Sequence, residues 1–127
     1  MSKGDRMEKV IEIEGQKIGV KATAGTVCLY RGFFGRDLLN DMSLFEEELL
    51  KTKSLQTETA EIAEKAIWTM AREYYEAHKD DKDAPENVPQ LKEWLDQFSP
   101  FFIYNACVHV LNMWIENTKS LNRTKKN

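Results

Sequence analysis

Residues 9–23 read KVIEIEGQKIGVKAT and alternate apolar with polar side chains on both sides of a Gly-Gln pair. A period of two residues is typical of a half-buried β-strand, and a glycine between two such runs is typical of a tight hairpin turn. Because an isolated hairpin is only marginally stable in water, its apolar face must rest on other elements. The stretch therefore predicts an N-terminal β-hairpin packed on the remainder of the chain.

The register of this hairpin depends on which two residues form the turn. When Gly15 is the first residue of the turn, Ile13 pairs with Ile18, and when Glu14 is the first, Ile13 faces Gln16 instead. Two apolar side chains support each other across strands, so we expect the first register, with its turn at 15–16. The apolar face of the hairpin then consists of Ile11, Ile13, Ile18 and Val20.

From Thr26 onward, apolar residues recur every three to four positions, as in amphipathic helices. We expect about five helices and an α+β fold that is mostly α. Residues 8–118 form one domain in this interpretation, between a disordered leader at 1–7 and a disordered basic tail at 119–127. The periodic positions in the first three helices are Val27, Tyr30, Phe33 and Phe34, then Leu38, Met42, Phe45 and Leu49, then Ile62, Ala66, Ile67, Met70, Ala71 and Tyr74.

The last predicted helix, from about Phe101 to Asn117, is apolar on more than one side. Such a helix is either central to the domain or partly reserved for a partner. We favour the central position, and the alternative is an exposed strip near Phe102, Met113 or Trp114. Its two adjacent apolar stripes are Phe101, Tyr104, Val108, Leu111 and Ile115, and Ile103, Cys107, Val110 and Trp114.

The charge and hydropathy of the chain argue against nucleic acid and membranes as partners. The formal net charge is -3, and binding to phosphate backbones or anionic lipid normally needs a basic patch. The longest apolar stretch, 101–115, is interrupted by polar residues and is shorter than the roughly 20 residues of a membrane span. The N-terminal residues lack the apolar core of a signal peptide. We expect a cytoplasmic protein.

The sequence contains none of the common catalytic or cofactor motifs, so we expect no enzyme, no cofactor and no metal site. Cys28 and Cys107 are expected to be small core residues with free thiols. A dyad of Cys107 with His109 is unfavourable, because residues two apart on a helix point away from each other. The segment GFFGRD at 32–37 is interpreted as a corner between helices rather than an anion site.

Three segments resemble the tail assembly chaperones of long-tailed phages and prophages of Gram-positive bacteria. They are KAT at 21–23, FGRDLL at 34–39 and EWLDQF at 93–98, and they occur in an order of hairpin and helices that covers nearly the whole chain from Met7 onward. Members of that family usually begin near the hairpin, so Met7 is a candidate native start. None of the three segments is a chemical signature.

The resemblance implies a non-enzymatic protein that binds the tape-measure protein during virion assembly, helps recruit tail-tube subunits and is absent from the finished particle. It also implies a longer product made by frameshifting, for which codons at Lys125 and Lys126 could provide the slippery run. Surplus apolar surface also allows self-association. The expected partner-binding residues are Trp94, Phe98, Phe101, Phe102, Met113 and Trp114. The alternatives are a phage connector or tail-completion protein that stays in the virion, or a small regulatory helical adaptor.

Overall fold

The described part of the chain, residues 7–52 and 57–126, begins with a hairpin and continues as five helices in this computed structural model; 117–126 are described through their backbone alone. The expected α+β class, mostly α with an N-terminal hairpin, is confirmed. The elements are β1 (Glu8–Ile13), β2 (Gln16–Lys21), α1 (Ala24–Phe34), α2 (Leu38–Thr52), α3 (Thr57–His78), α4 (Leu91–Leu95) and α5 (Phe102–Lys126).

The hairpin turns at Glu14 and Gly15, so the register expected from the sequence is wrong. Ile11 pairs with Ile18, and Ile13 faces Gln16. Both turn residues have positive φ, 55° and 78°, as in a type I′ turn, whose twist matches that of the strands. The pairing differs from the expected one by two positions, and a shift of two keeps every side chain on its face. The four apolar residues of the hairpin therefore still form one buried face.

Helix α1 has a capping signal at its start and a glycine stop signal at its end. Thr23 and Thr26 form a capping box, so the helix begins at Ala24, two residues before the expected position. Gly35 ends it in the left-handed conformation, with φ 64° and its N–H donated to the Arg31 carbonyl at 2.8 Å. Asp37 then accepts a hydrogen bond from the Leu39 N–H at 3.1 Å. The interpretation of 32–37 as a helix corner is confirmed.

The centre of the domain is α3, and the favoured central position of the last helix is therefore wrong. α3 contacts β2, α1, α2 and α5. Its alanines allow these neighbours to approach closely, and residues on several sides of it are buried together. Tyr74 lies directly over Gly19, where an added side chain would overlap the ring, so the glycine lets the hairpin lie against α3 without displacing Tyr74. The buried residues of α3 include Ile62, Ala63, Ala66, Ile67, Trp68, Met70 and Ala71.

Helix α4 begins after Gln90, which is extended and makes no side-chain cap. Helix α5 continues to Lys126, through most of the tail for which disorder is expected, because no glycine or proline follows Pro100.

The expected N-terminal leader overlaps the described chain at Met7 alone. The Met7 carbonyl accepts a hydrogen bond from Ala22 N–H at 2.8 Å, so Met7 extends the hairpin. The rest of that leader, 1–6, and Asn127 at the end of the expected tail lie outside the described residues.

Candidate partner-binding surface

One of the two apolar stripes of α5 is buried against α3, and the other is exposed. Cys107 and Val110 of the buried stripe lie in the core, together with the neighbouring Ala106. In the other stripe the most exposed side chains are Phe101 at 69%, Tyr104 at 60% and Val108 at 55%. Leu111 and Ile115 continue it, half-buried. We call these five residues, Phe101, Tyr104, Val108, Leu111 and Ile115, the α5 stripe.

The α5 stripe is a contiguous surface rather than a set of scattered side chains. Single exposed apolar residues are ordinary in soluble proteins, whereas contiguous patches mark interaction sites. The spacing of the stripe, three, four, three and four positions, places Tyr104, Val108, Leu111 and Ile115 along one line of α5, with Phe101 in the turn that leads into the helix. No Asp, Glu, Lys or Arg occurs between 101 and 115. The stripe is therefore suited to a partner recognised by apolar contact.

Three of the residues expected to contact a partner lie in the core instead. Trp94, Phe102 and Met113 are each no more than 4% exposed. Trp94 meets the edge of Phe98 at a centroid distance of 5.1 Å, and Phe98 stacks on Phe102 at 4.1 Å. This aromatic cluster fixes α4 against the first turn of α5. The placement of Trp94, Phe102 and Met113 on a binding surface is therefore wrong.

The other three predicted residues retain some exposure. Phe98 and Trp114 are half-buried, and Phe101 is the most exposed of the six. Sequence reasoning left Tyr104 and Val108 out of the expected site. Both belong to an apolar stripe visible in the sequence, but which of two adjacent stripes faces the core depends on contacts with α3.

Two contacts with the hairpin hold the first four turns of α5 in place. The Glu14 carboxylate accepts hydrogen bonds from the Ser99 N–H, at 2.9 Å, and from the Ser99 hydroxyl. These side-chain and backbone hydrogen bonds lower the pKa of Glu14. Further along the helix, Lys9 Nζ lies 2.6 Å from Glu116 Oε1. Because both contacts come from the hairpin, the α5 stripe has a fixed orientation relative to the domain.

A buried carboxylate, Asp41, braces the corner between α1 and α2. It accepts a hydrogen bond from the Tyr30 hydroxyl at 2.7 Å and two from the Arg36 guanidinium, both at 2.7 Å. Burial alone would raise the pKa of Asp41, but the hydrogen bonds from Arg36 and Tyr30 outweigh it and the pKa is lowered. The same burial and the neighbouring Asp41 raise the pKa of Tyr30. With both oxygens occupied, Asp41 serves to fix the corner.

A histidine joins the end of α3 to the hairpin and to the following loop. His78 Nδ1 lies 2.7 Å from Asp81 Oδ2, and His78 Nε2 lies 3.1 Å from Glu8 Oε1. The Lys21 ammonium also reaches Glu8, at 3.6 Å, and the Tyr74 ring packs against the imidazole at 4.3 Å. The hydrogen bond that the imidazole donates to Asp81 raises the pKa of His78 most; burial opposes it, and the hydrogen bond to Glu8 adds to the rise.

We expect this raised pKa to make the stability of the protein depend on pH. A group whose pKa is higher in the folded state contributes stability that is complete below its unfolded pKa, about 6.5 for histidine, and is lost as the pH rises through the folded value. Urea unfolding of the native protein should therefore show lower stability at about pH 8.5 than at about pH 6. His78→Gln should lose this difference. An equal pH dependence in the two proteins would contradict the assignment to His78.

The two cysteines occupy different environments. Cys107 is buried, and burial raises the pKa of its thiol to about 11, so it is a poor nucleophile at neutral pH. Cys28 is exposed, and its expected place in the core is therefore wrong. It lies on the side of α1 away from Tyr30, the buried residue that packs the helix on the domain.

Other candidate features within residues 7–52 and 57–126 are weak. A cleft of about 280 Å³ between β2, α3 and α4 falls just below the roughly 300–1,000 Å³ usual for small-molecule sites. The described side chains include no group of His, Cys, Asp and Glu arranged to hold a metal ion, and the loop with Asp80, Asp81 and Asp83 is no exception. Of the described helices, none has the length and apolar character needed to cross a bilayer.

Comparison of the chain with protein-family models, with curated proteins and with solved structures finds no match.

Proposed function

We propose that the chain is a tail assembly chaperone of a long-tailed phage or prophage. It would bind the tape-measure protein and help recruit tail-tube subunits, without covalent chemistry. The segments at 21–23, 34–39 and 93–98 support the family, and the exposed α5 stripe carries the proposed mode of action. A tape-measure protein is a long, partly apolar helical chain that aggregates when bare. A helix of the tape-measure protein packed along the α5 stripe would bury its apolar side chains in the contact.

The size of the α5 stripe sets the strength of such binding. Each of the three most exposed side chains retains more than half of its surface to bury, worth about 1 kcal/mol apiece. The half-buried Leu111 and Ile115 add less, so the gross gain is about 4 kcal/mol before the cost of association. One copy alone therefore binds weakly. Weak contacts repeated along a long chain suit a chaperone that must leave when the tube subunits arrive.

The proposal predicts that a charge in the α5 stripe abolishes recovery of the tape-measure protein. We expect Val108→Lys to reduce co-purification by about tenfold or more, because the lysine removes about 1.4 kcal/mol or more of contact. Leu50→Lys is the matched control, since Leu50 is also helical and is 58% exposed against 55% for Val108. Circular dichroism should show both variants folded. Undiminished recovery with Val108→Lys would refute the proposed contact surface.

A second measurement separates this function from the structural alternative. Mass spectrometry of purified phage particles should not detect the chain, since an assembly chaperone leaves before the particle is complete. Detection at one or more copies per particle would favour the connector or tail-completion protein instead.

A further inference from the structure

We infer that, in the free protein, the α5 stripe pairs with the α5 stripe of a second copy of the chain, with the two helices antiparallel. The inference concerns the protein before any partner is bound. It uses the same surface as the proposed function but does not depend on the tape-measure protein being the partner.

The spacing of the α5 stripe is that of a two-helix seam. Intervals of three, four, three and four positions are those of the a and d sites in a heptad repeat. Phe101, Val108 and Ile115 occupy the a sites, and Tyr104 and Leu111 occupy the d sites. Such a seam packs against another helix that carries the same spacing, and α5 itself is one.

The flanks of the α5 stripe permit contact between identical surfaces. A symmetric interface brings the same surface patch of the two copies together, so like charges spread over that patch would repel. Two neighbours of the stripe, Asn105 and Asn112, are exposed and uncharged. The whole interval from 101 to 115 contains no Asp, Glu, Lys or Arg. Nothing in this interval opposes pairing of two copies.

The charges at the two ends of α5 are complementary, and they select the antiparallel arrangement. The sequence from 117 to 127 contains four basic residues and no acidic residue. Around the start of α5 the exposed charges remain negative on balance: Asp96 pairs with Lys92 at 3.1 Å, Glu14 accepts hydrogen bonds from Ser99, and Glu93 adds a third carboxylate. Antiparallel pairing brings the basic end of each copy to the acidic start of the other, whereas parallel pairing places two basic ends together. The basic residues are Lys119, Arg123, Lys125 and Lys126, and the acidic ones are Glu14, Glu93 and Asp96.

The length of α5 allows this charge contact. The helix runs 11 residues past Ile115, the last residue of the stripe, to Lys126. At 1.5 Å per residue this overhang extends about 16 Å beyond the seam. It therefore reaches over the end of the second copy where α4 leads into α5.

The antiparallel seam fixes which residues meet. Layers of an antiparallel pair join a sites to d sites, so Phe101 faces Leu111 of the second copy, and Tyr104 faces its Val108. Two Phe101 residues are then ten positions apart along the seam, about 15 Å, which is too far for a disulfide. In a parallel pair, each residue of the stripe would instead face its own equivalent.

Disulfide cross-linking tests both the pairing and its direction. The full chain with Cys28→Ser removes the exposed thiol, and the buried Cys107 is left in place. Phe101→Cys and Leu111→Cys are made separately in this background, mixed and oxidised. We expect cross-linked dimers in the mixture and none from either variant alone. Cross-linking of each variant alone would mean parallel pairing and would overturn the antiparallel arrangement.

Sedimentation of the unmodified chain gives an independent readout. We expect its mean mass to rise from 14.8 kDa towards twice that value as the concentration increases to about 1 mM, the range of a weak contact. Val108→Lys should stay monomeric, and Leu50→Lys should behave as the native chain. High ionic strength should weaken the pairing, since it screens the end-to-end charges. A monomer at every concentration, with no cross-linking in the mixture, overturns the inference.

The outcomes also separate this inference from the proposed function. If the unmodified chain does not pair with itself but recovers the tape-measure protein normally, the inference is overturned and the proposed function stands. If the mixed cysteine variants cross-link efficiently but the unmodified chain does not recover the tape-measure protein, the proposed function is overturned and the inference stands.

Discussion

Phe102→Ala is expected to lower the free energy of unfolding by about 4 kcal/mol, in the range found when a buried phenylalanine is truncated. The Phe102 ring is buried, stacked on Phe98 at 4.1 Å and in edge contact with Trp94 at 5.7 Å. Truncation therefore leaves a cavity between α4 and α5. Urea unfolding followed by tryptophan fluorescence measures the loss.

Phe101→Ala is the matched control, one residue earlier in the chain. Its side chain is mostly in solvent, so the change in stability should stay within about 0.5 kcal/mol. Recovery of the tape-measure protein should nevertheless fall with Phe101→Ala, since the loss of Phe101 removes part of the α5 stripe without unfolding the domain. Equal effects of the two variants on stability would contradict the orientation of α5.

Asp41→Ala is expected to cost about 3 kcal/mol of stability, because it removes a buried carboxylate that accepts three hydrogen bonds. The Tyr30 hydroxyl, in the core, would be left without this acceptor, whereas Arg36 can turn towards water. Tyr30→Phe should cost only about 1 kcal/mol, because Asp41 keeps its pair with Arg36. Thermal unfolding of the two variants gives the comparison. A smaller loss for Asp41→Ala than for Tyr30→Phe would contradict the bracing role.

Because the pKa of Asp41 is lowered, the effect of Asp41→Ala on stability should depend on pH. A depressed carboxylate contributes stability above its unfolded pKa, near 3.9, and the contribution is lost as the pH falls through the folded value. The gap in stability between the native chain and Asp41→Ala should therefore narrow in acid.

Local signals were sufficient to predict much of the fold. The two-residue alternation predicted the hairpin, and the helical spacing after Thr26 predicted the helices. The segment at 32–37 predicted a helix corner, and Gly35, with φ 64°, ends α1 there in a conformation that favours a residue without a side chain. Each of these features depends on residues close together in sequence.

Features that depend on distant residues could not be predicted in the same way. Side-chain pairing across the strands favours a turn at 15–16, whereas in the structure the turn is at 14–15 and Glu14 bonds to the distant Ser99. The role of Asp41 depends on Tyr30, which lies on another helix. The inward stripe of α5 is chosen by α3, since both stripes are apolar.

The bonds between Glu14 and Ser99 also impose an order on biosynthesis, because they join positions 85 residues apart. The hairpin leaves the ribosome first, yet the anchor that orients the start of α5 cannot form until translation has passed residue 99. The α5 stripe therefore takes its fixed orientation only after the hairpin and the preceding helices have been synthesised.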